Sequence, residues 1–200
     1  MARLGSLLAG SLLAAALPAA AQQAPSWLKV DAAAQKVELD VVAAFNDTNS
    51  NWNFNGFHNG NATIVVPTGW TVAIPFHNQE DGIAHSLVVI ADPGDEMEYP
   101  DQVDDQAAAF HGAHSAAPTK GLEKGGTEDL SFKADKAGSY LWYCGVPGHG
   151  NAGMWIRFQV ADGAKAPAVT IAASMSWLGH ALTTPASSMG AGAGAGSGAA

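Results

Sequence analysis

The chain has a single cysteine, Cys144, among its 200 residues, so no intrachain disulfide can form. It is also short of positive charge. Nine Lys and Arg stand against 18 Asp and Glu, for a formal net charge of −9. The basic residues form no cluster and an acidic chain repels a phosphate backbone, which excludes nucleic acid as a partner. Beyond residue 21 there is no apolar run approaching the roughly 20 residues a bilayer span requires.

What is present begins with residues 1–21. Arg3 is their only charge; it precedes an apolar run from Leu7 to Leu17 and the small residues Ala19, Ala20 and Ala21. This is the pattern of a secretory signal peptide. Gly10, Ser11 and Pro18 interrupt the run, which favours a cleaved signal over a retained anchor. Cleavage there leaves 179 residues with a net charge of −10, enough for one domain around one core. The expected location is periplasmic or otherwise extracytoplasmic, with no stable membrane span after cleavage.

Residues 22–36 have no clear period and read as an N-terminal extension. From Val37 the chain alternates, with Val37, Leu39 and Val41 apolar around Glu38 and Asp40, as in a half-buried strand. Residues 46–61 are crowded with Asn and Gly and read as loop. Further strands are expected over 62–66, 71–76, 84–91, 127–133, 139–144 and 154–160, in antiparallel order within two packed sheets. Between them, 92–105 holds seven acidic residues and no Lys or Arg, a solvated loop in preference to an acidic docking patch. The domain is therefore placed at 37–161. Residues 162–200 form a C-terminal extension, in which Trp177 and Leu178 suggest a short packed element and 190–200 a flexible Gly/Ala tail.

One constellation carries chemistry. Cys144 ends an apolar run, His149 follows five residues later, and Met154 five after that, on a loop rich in glycine: Gly145, Gly148, Gly150 and Gly153. His85 lies some sixty residues upstream. Thiolate and thioether are soft ligands suited to Cu(I), and imidazole serves both Cu(I) and Cu(II). Two His, one Cys and a weak axial Met make the ligand set of a blue-copper electron-transfer site. Taken singly, each residue is more simply a core or surface side chain; the spacing and the all-β background make the metal reading. His58, His77, His111, His114 and His180 remain unassigned, the HxxH pair at 111 and 114 included. A copper enzyme would need a second site, but Cys144 is flanked by Tyr143 and Gly145 and no His-x-His occurs. A copper chaperone or store would want an open, exchangeable site. An electron carrier without a substrate site is the expected function.

At these residues the chain resembles the cupredoxins, and within them the sulfocyanin and rusticyanin group, sulfocyanin more closely. Cys144-Gly145-Val146-Pro147-Gly148-His149 and Gly153-Met154-Trp155 are similar to that family's ligand loop, and Asn53-Phe54-Asn55-Gly56-Phe57 to its Asn-rich segment before the turn at 67–70. The resemblance spans about 37–160. It implies a Greek-key β-sandwich holding one type 1 copper on His85, Cys144, His149 and Met154, in a monomer. It further implies single-electron shuttling between respiratory partners such as a c-type cytochrome and a terminal oxidase or reductase. Ser86, beside His85, is expected to bond the ligand loop. The stretch 162–200 has no counterpart in that pattern.

Overall fold

The computed structural model describes residues 24–94 and 98–172. The expected signal at 1–21, Asp95 and Glu96 of the acidic stretch, Trp177, Leu178, His180 and the Gly/Ala tail lie outside the described residues.

Among the described residues, ten strands build two five-stranded sheets. They are β1 Leu28–Asp31, β2 Lys36–Leu39, β3 Val41–Ala43, β4 Ala62–Pro67, β5 Trp70–Asn78, β6 Val88–Ala91, β7 Thr127–Ala134, β8 Gly138–Tyr143, β9 Trp155–Ala161 and β10 Ala168–Ile171. In the first sheet β1 pairs β2, and β5 carries β2 and β3 on one edge and β7 on the other. The second sheet runs β10-β4-β9-β8-β6. The turn after Pro67 sends the chain from the second sheet into the first, so β4 lies beside β9 rather than β5. This is the over-and-back path of a Greek key.

The antiparallel expectation needs correction at three pairings. β2 and β3 both run parallel to β5, and β4 runs parallel to β9, because crossovers between sheets bring those strands in from the same end. Sheet pairing also reaches past both bounds of the 37–161 domain. Within 22–36, β1 closes a hairpin on β2, and within 162–200, β10 pairs β4 from Ala168↔Val65 to Ile171↔Ala62.

Strand alternation places the core. In β5, Trp70, Val72, Ile74 and Phe76 point inward with half-buried residues between, the period of a sheet with one face toward solvent. They meet Trp142, Ile156 and Phe158 from the opposite sheet. β8 is buried on both faces from Tyr140 to Tyr143, because a second cluster covers its outer side: Val88, Ile90, Val103, Leu141, Tyr143 and Trp155. The covering chain is part of the acidic stretch. Its carboxylates at 101, 104 and 105 are exposed, but Tyr99 stacks on Trp155 at 4.8 Å and Val103 is buried. The segment is therefore a solvated edge on an apolar underside, which charge counting alone cannot reveal.

Candidate metal centre

Cys144 directly follows β8, and Met154 directly precedes β9, so two adjacent strands fix both ends of the loop between them. Cys144 N–H donates to the Met154 carbonyl at 3.1 Å, and Met154 N–H to the His149 carbonyl at 3.0 Å. Of the four loop glycines, Gly148 and Gly153 adopt φ of +84° and +100°, where a side chain would be strained. Gly150 serves a different need, since a Cβ there would sit 1.9 Å from the Tyr143 ring.

His85 is placed by a loop and not, as expected, by the start of a strand: β6 begins only at Val88. Paired backbone bonds with Leu122 hold it, at 3.1 and 2.7 Å. Its Nδ1 comes 3.2 Å from His149 Nδ1 and 4.0 Å from Cys144 Sγ, and His149 Nδ1 is 3.5 Å from that sulfur. All three side chains are buried. Bonds of about 2.0 Å to imidazole and 2.3 Å to thiolate, the usual zinc lengths, would separate donors in one plane by roughly 3.5 to 3.7 Å. The observed triangle brackets that spacing. With a thiolate as the soft corner, the donor set fits copper of type 1. Met154 is fully buried, and its backbone bonds Cys144 and His149.

Burial sets the electrostatics of the metal-free site. It pushes the Cys144 thiol up to about 11, against backbone N–H groups of Ser86 and Val146 and the Ser86 hydroxyl, which favour the thiolate. It pushes His149 down to about 4, with His85 adding to the effect, and it lowers His85 as well. Neutral imidazoles are the form a metal needs. Ser86 behaves as expected: its Oγ accepts from Gly145 N–H at 3.0 Å, leaving the hydroxyl hydrogen free to face Cys144 Sγ at 3.9 Å.

Three residues at the site were not singled out by the sequence. Trp52 stacks on His149, ring centroids 4.4 Å apart and planes at 27°. Glu80 contacts Nε2 of His85. Asn51 donates to Glu80 at 3.2 Å. Trp52 and Asn51 come from the Asn-rich segment, where Asn49, Ser50 and Asn51 occupy the left-handed region in succession, with φ of +51°, +55° and +70°. Asn tolerates that conformation better than most residues, so the Asn content was the available signal. It marked a turn without saying what the turn would touch. His58, His77, His111 and His114 stand apart from the triangle, which is the one group of three or more His, Cys, Asp and Glu close enough to hold a metal ion among the described residues.

The model of the Sulfocyanin (SoxE) domain matches residues 24–171. A sulfocyanin of Sulfolobus acidocaldarius is 28% identical over 137 residues, 68% of each chain. Among solved structures, reduced auracyanin from Roseiflexus castenholzii is 26% identical, covering 62% of this chain and 96% of its own, with a TM-score of 0.43. Rusticyanin from Thiobacillus ferrooxidans is 22% identical, covering 68% and 86%, with a TM-score of 0.41.

Proposed function

The chain belongs to the sulfocyanin family, and from that premise we propose that it is an exported one-electron carrier whose copper is held by His85, Cys144, His149 and Met154. The observation that carries this reading is the triangle itself, three buried donor atoms of the right types within 4.8 Å of one another. Copper bound there would supply a one-electron couple between Cu(I) and Cu(II). Everything else is the work of the chain.

To hold copper, Cys144 would have to lose the proton that burial favours, because a thiolate is the ligand and a thiol is not. The two imidazoles bring their Nδ1 atoms within 3.2 Å of each other, one on a strand-anchored loop and one on a loop held by Leu122. Positions fixed by the sandwich before an electron arrives need little adjustment afterwards, which keeps transfer fast. Buried Trp142 and Ile156 belong to the same apolar cluster as Cys144 and Met154 and keep water out of it. His149 is 7% exposed, next to half-buried Val146 and exposed Pro147, and offers the short way out for the electron.

The proposed partners are a c-type cytochrome on one side and a terminal oxidase or reductase on the other, met outside the cytoplasm. The signal-like pattern over 1–21 supports that location. The oxidised, copper-loaded protein should absorb intensely in the visible through thiolate-to-copper charge transfer. Cys144→Ser should abolish the band while far-UV circular dichroism stays that of a folded sandwich. A band that survives in that variant removes the assignment.

A further inference from the structure

Glu80 is the acidic group that the proposed function leaves unused, and its surroundings are specific. Its side chain is only 8% exposed, and one carboxylate oxygen contacts Nε2 of His85, which is itself fully buried. The other oxygen accepts from Asn51 Nδ2 at 3.2 Å. Its backbone N–H donates to Asn78 Oδ1 at 2.9 Å, while the Asn78 amide bonds the Ile83 and Leu122 carbonyls at 2.8 and 2.7 Å. Asn51 donates to one oxygen, and an Nε2–H of His85 donated to the other would suit the acceptor-only ionised form of the carboxylate. Burying that charge is costly unless it is paired and bonded, so the arrangement calls for a reason.

We propose that Glu80 is a positioning residue that fixes the tautomer of His85 and holds the reduction potential of the site below the value the four ligands alone would set. This rests on the copper reading above. The geometry gives two effects. With Nε2–H donated to Glu80, the proton of the neutral ring sits on Nε2, and Nδ1 keeps its lone pair for the metal, facing His149 Nδ1 and Cys144 Sγ. A negative charge behind the ring also makes the imidazole a stronger donor, which favours Cu(II) over Cu(I). Reduction adds one electron from a redox partner and breaks no bond at Glu80, so the residue acts on the balance alone.

The support for Glu80 comes from the same segment that covers His149. Asn51 and Trp52 are neighbours at the end of the left-handed turn, one on Glu80 and the other on His149. Asn49 Nδ2 fastens the turn by donating to the Trp52 carbonyl at 2.9 Å and to the Ala152 carbonyl of the ligand loop at 3.2 Å. The turn therefore reaches both histidines, the first through a carboxylate and the second through a ring.

Two variants and two readouts test this. Glu80→Gln keeps the size and an acceptor oxygen but not the charge; Glu80→Leu removes both. In the copper-loaded protein, Glu80→Gln should keep the visible band and raise the potential by about 59 mV, a tenfold shift of the one-electron equilibrium toward Cu(I). In metal-free protein, nitrogen-15 NMR should find His85 protonated at Nε2 in wild type and Glu80→Gln, and with the proton shared between the two nitrogens in Glu80→Leu. A potential in Glu80→Gln equal to or below wild type overturns the charge effect. An unchanged tautomer in Glu80→Leu overturns the positioning, and either result overturns the proposal. Should wild type take up no blue copper, the function proposed above fails, while the metal-free NMR comparison still decides the role of Glu80.

Discussion

The ligand loop 144–154 and the Asn-rich segment 46–56 cross the same end of the sandwich, the first carrying three of the four proposed donors and the second none. They are held in different ways. The loop is closed by short backbone bonds and by glycines, so its shape is local and its side chains are free to meet a metal. The Asn-rich segment also has backbone bonds, such as Trp52 N–H to the Asn49 carbonyl and Asn55 N–H to the Val42 carbonyl, but side-chain amides tie its turns together. Asn53, fully buried, donates to the Asn46 and Thr48 carbonyls at 2.9 Å each and accepts from Gly56 N–H at 2.9 Å. Asn55 bonds Val42 N–H and the Asp40 carbonyl on the neighbouring strand. Donor identity thus resides in one segment, and part of donor orientation is delegated to another. Changes in the first should move the metal, and changes in the second should move stability and the surroundings of the histidines.

The largest expected effect tests that division directly. Asn53→Ala removes three bonds from a fully buried side chain, leaving the buried Gly56 N–H unpaired and the carbonyls of half-buried Asn46 and Thr48 without their amide donor, which should cost about 3 kcal/mol. For a domain of this size that is a fall in Tm of roughly 10 °C, with or without metal. Thermal unfolding by circular dichroism measures it, and an unchanged Tm would show that the segment is held some other way.

Met154 should behave in the opposite manner. Met154→Leu keeps volume and apolarity, so stability should change by less than about 1.5 kcal/mol. The blue band should persist, because the cysteine and both histidines remain. Loss of the axial donor destabilises Cu(II), so the potential should rise by on the order of 59 mV or somewhat more. Met154→Gln, with a harder oxygen, should lower it. Redox titration of the three proteins gives the order Leu, Met, Gln from high to low; a flat series returns Met154 to packing alone.

The smallest effect concerns pH and joins the two segments. Burial beside His85 and under Trp52 leaves His149 at about 4 in the folded metal-free protein, against 6.5 for an ordinary histidine. Between those values the unfolded chain binds the proton and the native protein does not. Stability of the metal-free protein should therefore fall as pH drops from 6.5 to 4 and level off below. His85, also lowered by burial, adds in the same direction. Trp52→Leu opens His149 to water and should flatten the slope. Melting temperatures across that pH range would contradict the account if acid stabilised the protein or if the slope ignored Trp52.

Legibility followed the same division between the two segments. The proposed donors could be picked out because their chemistry is rare and their spacing is local: one cysteine, then His149 and Met154 at equal steps on a glycine loop. Ser86 could be read because it adjoins a donor. The strands could be read from alternation, best in β5, where one face is toward solvent, and least well at their ends. His85 proved to precede its strand, and β10 was hidden in a stretch with weak periodicity. Glu80, Asn51 and Trp52 could not be read, since an Asn-rich turn announces its backbone but not its neighbours.

The sequence alone determined the sandwich class and which atoms were available to bind a metal, because alternation and residue type are properties of short stretches of chain. Only the tertiary structure decided that β2 and β3 run parallel to β5, that β1 and β10 belong to the sheets, and that the acidic stretch hides an apolar underside. It also decided what stands behind each histidine. Glu80 and His85 are five residues apart and Trp52 and His149 are ninety-seven apart, yet each pair is in contact. Such contacts depend on how loops from different strands fall at one end of a closed sandwich. That is fixed by the packing of the whole core and by no local pattern of residues.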